Sequence, residues 1–488
     1  MFLKTSKFFL YAALFCVVLV VSGSFFPFIG GKYFFFRAMV ALSAAAFLLS
    51  WAFEDPHDAL KERMKAVAKM PLFIAVSAFV LVMLLAAVFA HDPHAAFWSN
   101  YERGDGGYQM LHYYLFFSLL LLLVRTWKEW KITLWLFVIA AFLMVGYGVL
   151  GYLNVYNCNP ARYPENQAPI SCTTSPAAQF ITAYQSIPPD DIPKTFVGVF
   201  SGNRFQGSLG NPAYVAPYLI FAMSFALILW LLREEKDHQK NKAKSSWGHL
   251  WWLLLVLYFF TFFILAQTRG AFLGLLIGLG VAQVYLAILL PKARKWVVSI
   301  LLAGLIVVSS LFIFRDNPAI ASLPVSRLFD INLTEFTAQT RFWTWGSAWE
   351  GIKERPILGW GQENFSTVFD RHFDTRHFNP QQISETWFDR AHSIFFDYAA
   401  TTGLLGLLSY LVMLGVAFWP YLKLLWSKGV HSKEAGVSAV IVGLGVAYFV
   451  QGLVLFDVLS IYLGLFTALA FVGFFADHLK TTHAPHHG

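Results

Sequence analysis

Apolar residues along this chain come in long uninterrupted runs of about twenty, separated by short polar stretches. A helix needs roughly 20 apolar residues to cross a bilayer, and on that measure the pattern predicts twelve spans. They lie near 8–29, 33–53, 71–90, 108–124, 132–152, 212–232, 249–267, 270–290, 297–314, 393–419, 436–456 and 459–476. The seventh and eighth are nearly continuous, so Gln267-Thr268-Arg269-Gly270 between them must be a tight turn at a membrane face. Two interruptions are long. One covers 153–211, and the other covers 315–392 and is rich in Trp and Phe, a composition that argues against disorder. Within the second, Phe342, Trp345 and Trp349 recur at helical spacing, predicting a helix that lies on the outer leaflet and carries Arg341 near its start. Arg355-Pro356 should end that helix, with a turn at Gly359-Trp360-Gly361. The fold expected is an all-α polytopic membrane protein. It forms a single integral membrane unit over 1–488, with a large helical extracytoplasmic loop between spans nine and ten.

Composition supports this class. Hydrophobic residues are 57% of the 488 and charged residues 13%, against about 25% charged in soluble domains. The first apolar run is long enough to span and lacks a clear small-residue cleavage site, so no removable signal is expected. Lys and Arg then set the orientation. With the N-terminus inside, the short loops on the inner face collect most of the cations, and an even number of spans puts both termini inside. The two faces differ in kind as well. Lysine dominates inside and arginine outside, and arginine holds phosphate or carboxylate bidentately while staying charged when partly desolvated.

Candidate chemistry is therefore sought on the outer face. Arg269 sits in the tight turn with no acidic neighbour in sequence, which favours a phosphate ligand over a snorkelling anchor. Arg103 follows Phe97-Trp98 after the third span, and Arg204 precedes Leu209-Gly210-Asn211-Pro212 at the start of the sixth. Arg341 lies in the large loop. His392 ends that loop at a helix N-terminus, where amide donors and the dipole favour an anion, and a neutral imidazole can take a proton from a hydroxyl. Packing or capping would account for a lone histidine there equally well. Asp370–His377 mixes possible metal ligands with arginine, but its spacing matches no tight site and no metal is expected. Cys158 and Cys172, fourteen apart on the outer side, read as a disulfide.

Several of these pieces occur in one order. They are Leu209-Gly210-Asn211-Pro212, then Gln267-Thr268-Arg269-Gly270-Ala271, then Arg341 with Trp345. Pro356-Ile357-Leu358-Gly359-Trp360-Gly361 follows, and Ala391-His392-Ser393 with Gly403-Leu404-Leu405-Gly406 closes the series. In this the chain, from about 97 to 456, resembles the O-antigen ligase superfamily of bacterial envelopes. That group includes lipopolysaccharide ligases, polysaccharide polymerases and protein O-oligosaccharyltransferases. The resemblance implies a GT-C-like membrane enzyme in the bacterial inner membrane, with its active site on the outer face. It would transfer a glycan from an undecaprenyl-pyrophosphate carrier to a lipid, glycan or protein hydroxyl, without metal, nucleotide or other cofactor and with no nucleic-acid partner. His392 would be catalytic, and Arg269, Arg341, Arg103 and Arg204 would bind the pyrophosphate. Ser393 and Thr402 depart from the Asn and Glu common at those places. A transporter or flippase for an anionic lipid-linked glycan is the reading from another class. It would predict charges within the spans and internal repeats, and the sequence shows neither.

Overall fold

The computed structural model describes residues 1–21, 23–54, 58–157, 204–233, 242–321, 323, 325–329, 334–378, 386–427 and 429–482. The Cys158–Cys172 pair lies outside them. Among the described residues the regular structure is helical, and nine helices are long and apolar enough to cross a membrane. Two shorter apolar helices, Gly107–Leu123 and His249–Leu265, accompany them. Most coincide with the hydrophobic runs to within a few residues.

Two runs depart from the expectation. The first, 8–29, does not form one helix across its length. The chain is helical over Phe2–Ala13, tightens to a 3-10 turn over Leu14–Val18 and becomes extended at Leu19. Gly23, Ser24 and Pro27 favour turns, and the chain closes on itself there through Val21 N–H to the Pro27 carbonyl, 3.1 Å. The tenth, 393–419, is split. A short helix, Ile394–Thr401, breaks at Thr402 before the spanning helix begins at Gly403.

That break has a local cause. Gly359 (φ +66°) and Gly403 (φ +70°) face each other with left-handed backbones. A Cβ on Gly403 would stand 2.1 Å from the Ile357 carbonyl oxygen, and one on Gly359 would stand 2.6 Å from that of Ala400. Only glycine accepts both the conformation and the contact. The interlocked turns then share backbone hydrogen bonds. Trp360 N–H donates to Ala400 (2.9 Å), Gly361 N–H to Thr401 (2.7 Å) and Leu404 N–H to Pro356 (2.8 Å). Gln362 Nε2 donates to the Met83 carbonyl at 3.0 Å, and Asn364 Oδ1 accepts from Asp92 N–H at 3.0 Å. The turn is thus pinned to the end of the Pro71–Val88 helix.

Burial separates central from peripheral spans. In the helix near the C-terminus, Leu459–Thr482, 94% of the apolar window is buried, against none for Arg294–Ile313, which touches the core only through partly buried residues such as Val308 and Leu311. Arg269–Leu289 runs closely along Ser432–Gly452 because glycines face carbonyls: a Cβ on Gly278 would lie 2.4 Å from the Gly443 oxygen. Small residues at such contacts let backbones approach where lipid offers no hydrophobic drive for association.

Candidate functional site

The large loop folds as a helix and a turn laid over the span ends. Phe336–Glu354 is helical, as the aromatic spacing predicts, and its C-cap is Arg355. Its packed face, however, is the small one: Thr340, Thr344, Ser347, Ala348 and Gly351 are buried, while Phe342 and Trp349 are exposed. Of the aromatic stripe, Trp345 docks. Its indole N–H donates to the Ala391 carbonyl (2.9 Å) and its ring stacks on Phe396 at 5.3 Å. One aromatic therefore ties the helix bearing Arg341 to the residue just before His392.

His392 itself is held in an unusual way. Its φ is +51°, a left-handed backbone uncommon for a residue with a side chain. Both flanks are clamped. Ala391 N–H donates to Asp397 Oδ1 at 3.1 Å, and Ile394 N–H donates to the Leu455 carbonyl at 3.1 Å. The buried Arg390 guanidinium pairs with Glu363 and, at 3.4 Å, with Asp397. The ring of His392 sits edge-on between Phe388 and Phe456. Its Nδ1 lies 3.2 Å from the Arg390 carbonyl oxygen. A proton on Nδ1 serves that contact and leaves the Nε2 lone pair for a substrate. Burial, and then the positive charge of Arg341, hold the imidazole's pKa down to about 4. The Arg390 carbonyl and Asp389 oppose this less strongly. His392 is therefore neutral at physiological pH.

The sequence-predicted arginines fall into two groups. Arg204 donates to the Ala266 carbonyl (3.2 Å) and to Thr268 Oγ1 (3.1 Å), and Phe205 N–H donates to the Leu265 carbonyl, so 204–205 is stitched to the tight turn. Burial first, then the charges of Arg327, Arg269 and Arg341, lower the Arg204 pKa to about 10. Four arginines from three parts of the chain thus share one electrostatic neighbourhood. Arg269 Nε donates to the Arg327 carbonyl at 3.1 Å and its Nη1 pairs with Glu335. The absence of an acidic partner, argued from sequence, does not hold in three dimensions, because Glu335 arrives from 66 residues away.

Arg103 belongs to the other group. It grips Asp389 with two hydrogen bonds (2.7 and 2.9 Å), donates to Tyr214 (3.0 Å) and lies over the Phe456 ring. Its fork is committed to a carboxylate, whose pKa it holds down against the effect of burial. His392 feels the charges of both Arg341 and Arg103 and so stands between the groups.

Sequence reasoning passed over Arg327, Asp389, Glu335, Asp397 and Phe456. Arg327 lies in the 315–392 interruption and belongs to none of the motifs singled out there. Asp389 and Glu335 give no sequence signal, since their partners Arg103 and Arg269 are 286 and 66 residues away. The Asp370–His377 stretch is paired within itself and to the preceding helix: Arg376 holds Asp374, Arg371 reaches Glu354, and His372 lies 3.1 Å from Glu354. No metal-binding cluster occurs among the described residues.

No curated protein matches the chain. Residues 253–411, a stretch that includes Arg269, Arg327, Arg341 and His392, match the family model described as O-antigen ligase, and this match supports the O-antigen ligase superfamily for the chain.

Proposed function

We propose that the protein is a glycosyltransferase of ligase type. It moves a glycan from an undecaprenyl-pyrophosphate carrier to an acceptor hydroxyl at the outer face of the inner membrane, as an O-antigen ligase does. The observation that carries this reading is a neutral, clamped His392 beside Arg341, itself one of four neighbouring arginines. Displacement at an anomeric carbon passes through an oxocarbenium-like transition state, and charge grows on the departing group. Arg204, Arg269, Arg327 and Arg341 lie where they can neutralise a leaving pyrophosphate. His392 Nε2 accepts the acceptor's hydroxyl proton as its oxygen bonds to the anomeric carbon. The bond from that carbon to the pyrophosphate oxygen breaks, and the carrier leaves as undecaprenyl pyrophosphate. The imidazolium then returns its proton to water or to the departing phosphate.

A base with a pKa near 4 is weak for this work at neutral pH. The donor supplies the correction. Its pyrophosphate offsets the charge of Arg341, the second cause of the depression, and so raises the basicity of His392 only when the substrate is in place.

The test uses purified protein in lipid nanodiscs with an undecaprenyl-pyrophosphate-linked glycan. Three acceptors are offered separately: a lipopolysaccharide core lipid, a second lipid-linked repeat and a protein. Transfer to the core lipid, lost in His392→Ala and Arg269→Ala proteins that fold normally, is expected. Transfer unaffected by His392→Ala would overturn the proposal. Transfer only to the second repeat or to the protein would replace ligase by polymerase or oligosaccharyltransferase.

A further inference from the structure

Away from the four-arginine cluster, a cavity opens between the start of the Gly30–Glu54 helix, the start of the Leu459–Thr482 helix and the turn at Leu209. It is narrow, with about 40 Å³ of free space, and partly open. Its walls are mostly apolar, from Phe28, Ile29, Leu209 and Leu459, and its polar lining is Lys32, Arg103, Asp105, Tyr214 and Ser460 with Tyr33.

Lys32 is the unusual member. It is 4% exposed, and its ammonium reaches the Leu19 carbonyl. Among the described residues it makes no ion pair with a carboxylate. A buried ammonium without a counter-anion is costly while it is charged, and an anion entering the cleft would offset that cost. The other charges on the wall do not supply it. Arg103 is matched by Asp389, and Asp105, whose carboxyl burial pushes up, makes no ion pair with Lys32 among the described residues. Ser460 Oγ is also buried and has no hydrogen-bond partner. A cation and a hydroxyl donor thus face one apolar-walled space.

We propose that this cleft is a separate binding site for an alkyl-chain phosphate. The anionic headgroup pairs with Lys32 and accepts from Ser460, and the chain runs over Phe28, Ile29, Leu209 and Leu459. The apolar walls distinguish it from a site for a soluble anion. Arg103 lies over Phe456, whose ring also contacts His392, so an amphiphile bound here lies beside the proposed catalytic base. The same chemistry belongs to a phosphate-bearing acceptor lipid and to an anionic lipid of the bilayer.

The experiment measures binding of dioctanoyl phosphatidic acid to the full chain in phosphatidylcholine nanodiscs, by native mass spectrometry. Lys32→Met keeps the volume and removes the charge, and should weaken this binding about tenfold or more. Lys32→Arg should restore it. Ser460→Leu, which fills the cleft and leaves Lys32 in place, should block it independently. Unchanged binding in both Lys32→Met and Ser460→Leu overturns the proposal. So does displacement of the lipid by inorganic phosphate at equal concentration, which would make the cleft a plain anion site. A transfer assay separates the two sources. A raised acceptor KM with preserved kcat in Lys32→Met identifies the acceptor. An unchanged KM, with loss of the thermal stabilisation that phosphatidylglycerol gives the wild type, identifies a bilayer lipid. The binding arm needs no turnover, so its result is independent of the transfer reading above.

Discussion

His392 carries two features that rarely coincide, a left-handed backbone and a pKa held near 4 by burial and Arg341. The sign of the resulting pH dependence follows directly. The neutral imidazole is the working form, so activity is lost as pH falls through the folded pKa. In kcat/KM, which reports the free enzyme, that loss should come near pH 4 and not near 6.5. In kcat, which reports the bound complex, it should move upward, because the donor's phosphates offset Arg341. Pre-steady-state pH profiles of wild type and Arg341→Gln check this. A kcat/KM limb already at 6.5 in the wild type would mean that Arg341 and burial do not act on His392 as described. Removing the base itself, His392→Ala, should cost on the order of 10²- to 10⁴-fold in rate. The residue was legible in sequence as a histidine at a loop end. Its backbone strain was not, because a left-handed residue that is not glycine leaves no compositional mark.

At the scale of elements, the loop helix and the turn after it are held by a few directional contacts. Trp345→Phe keeps the ring on Phe396 but deletes the donor to Ala391, a loss of about 1 kcal/mol in stability. Its effect on transfer should exceed its effect on Tm, because Arg341 and His392 are set relative to each other through that bond. Equal small changes in both would show the helix to be positioned by other contacts. Asp397→Ala removes one of two carboxylates from buried Arg390 and the acceptor for Ala391 N–H. A cost of about 3 kcal/mol is expected from breaking a buried pair, read from the thermal or denaturant midpoint, with Asp397→Asn milder. The helix itself was readable from Phe342, Trp345 and Trp349, since period alone predicts it. Which of those rings would be buried was not, because that depends on the helix's rotation about its axis. The partner, Phe396, is 51 residues away.

Over the whole molecule, the fold gathers four arginines, Arg204, Arg269, Arg327 and Arg341, that are spread over 137 residues of the chain. Like charges so placed repel, and an anion that binds the folded state alone stabilises it by mass action. At a hundred times its Kd the gain is about 2.7 kcal/mol. Inorganic pyrophosphate should therefore raise the Tm of the purified protein at low salt. The rise should shrink at high salt through screening and largely vanish in Arg269→Ala and in Arg327→Ala. A Tm indifferent to pyrophosphate would remove the cluster from the proposed mechanism. Arg327 in this list is a contribution of the tertiary structure. Arg103, grouped from sequence with the phosphate ligands, instead grips Asp389 in the structure.

What the sequence alone determined is what local physics decides. Twenty-residue apolar runs become helices suited to a membrane, because in lipid the backbone must satisfy its own hydrogen bonds. The glycines of Gly359-Trp360-Gly361 mark a turn, because other residues do not fit there. What the tertiary structure alone decided is pairing. Glu335 reaches Arg269, Asp389 takes Arg103, Asp397 and Glu363 hold Arg390, and Lys32 is left with a carbonyl for company. Arg103 closes its fork on Asp389 and is a structural tie, whereas Arg269 meets Glu335 while sharing its surroundings with three other arginines. Those encounters join residues from 7 to 286 positions apart, and side-chain charge acts through space without regard to that separation.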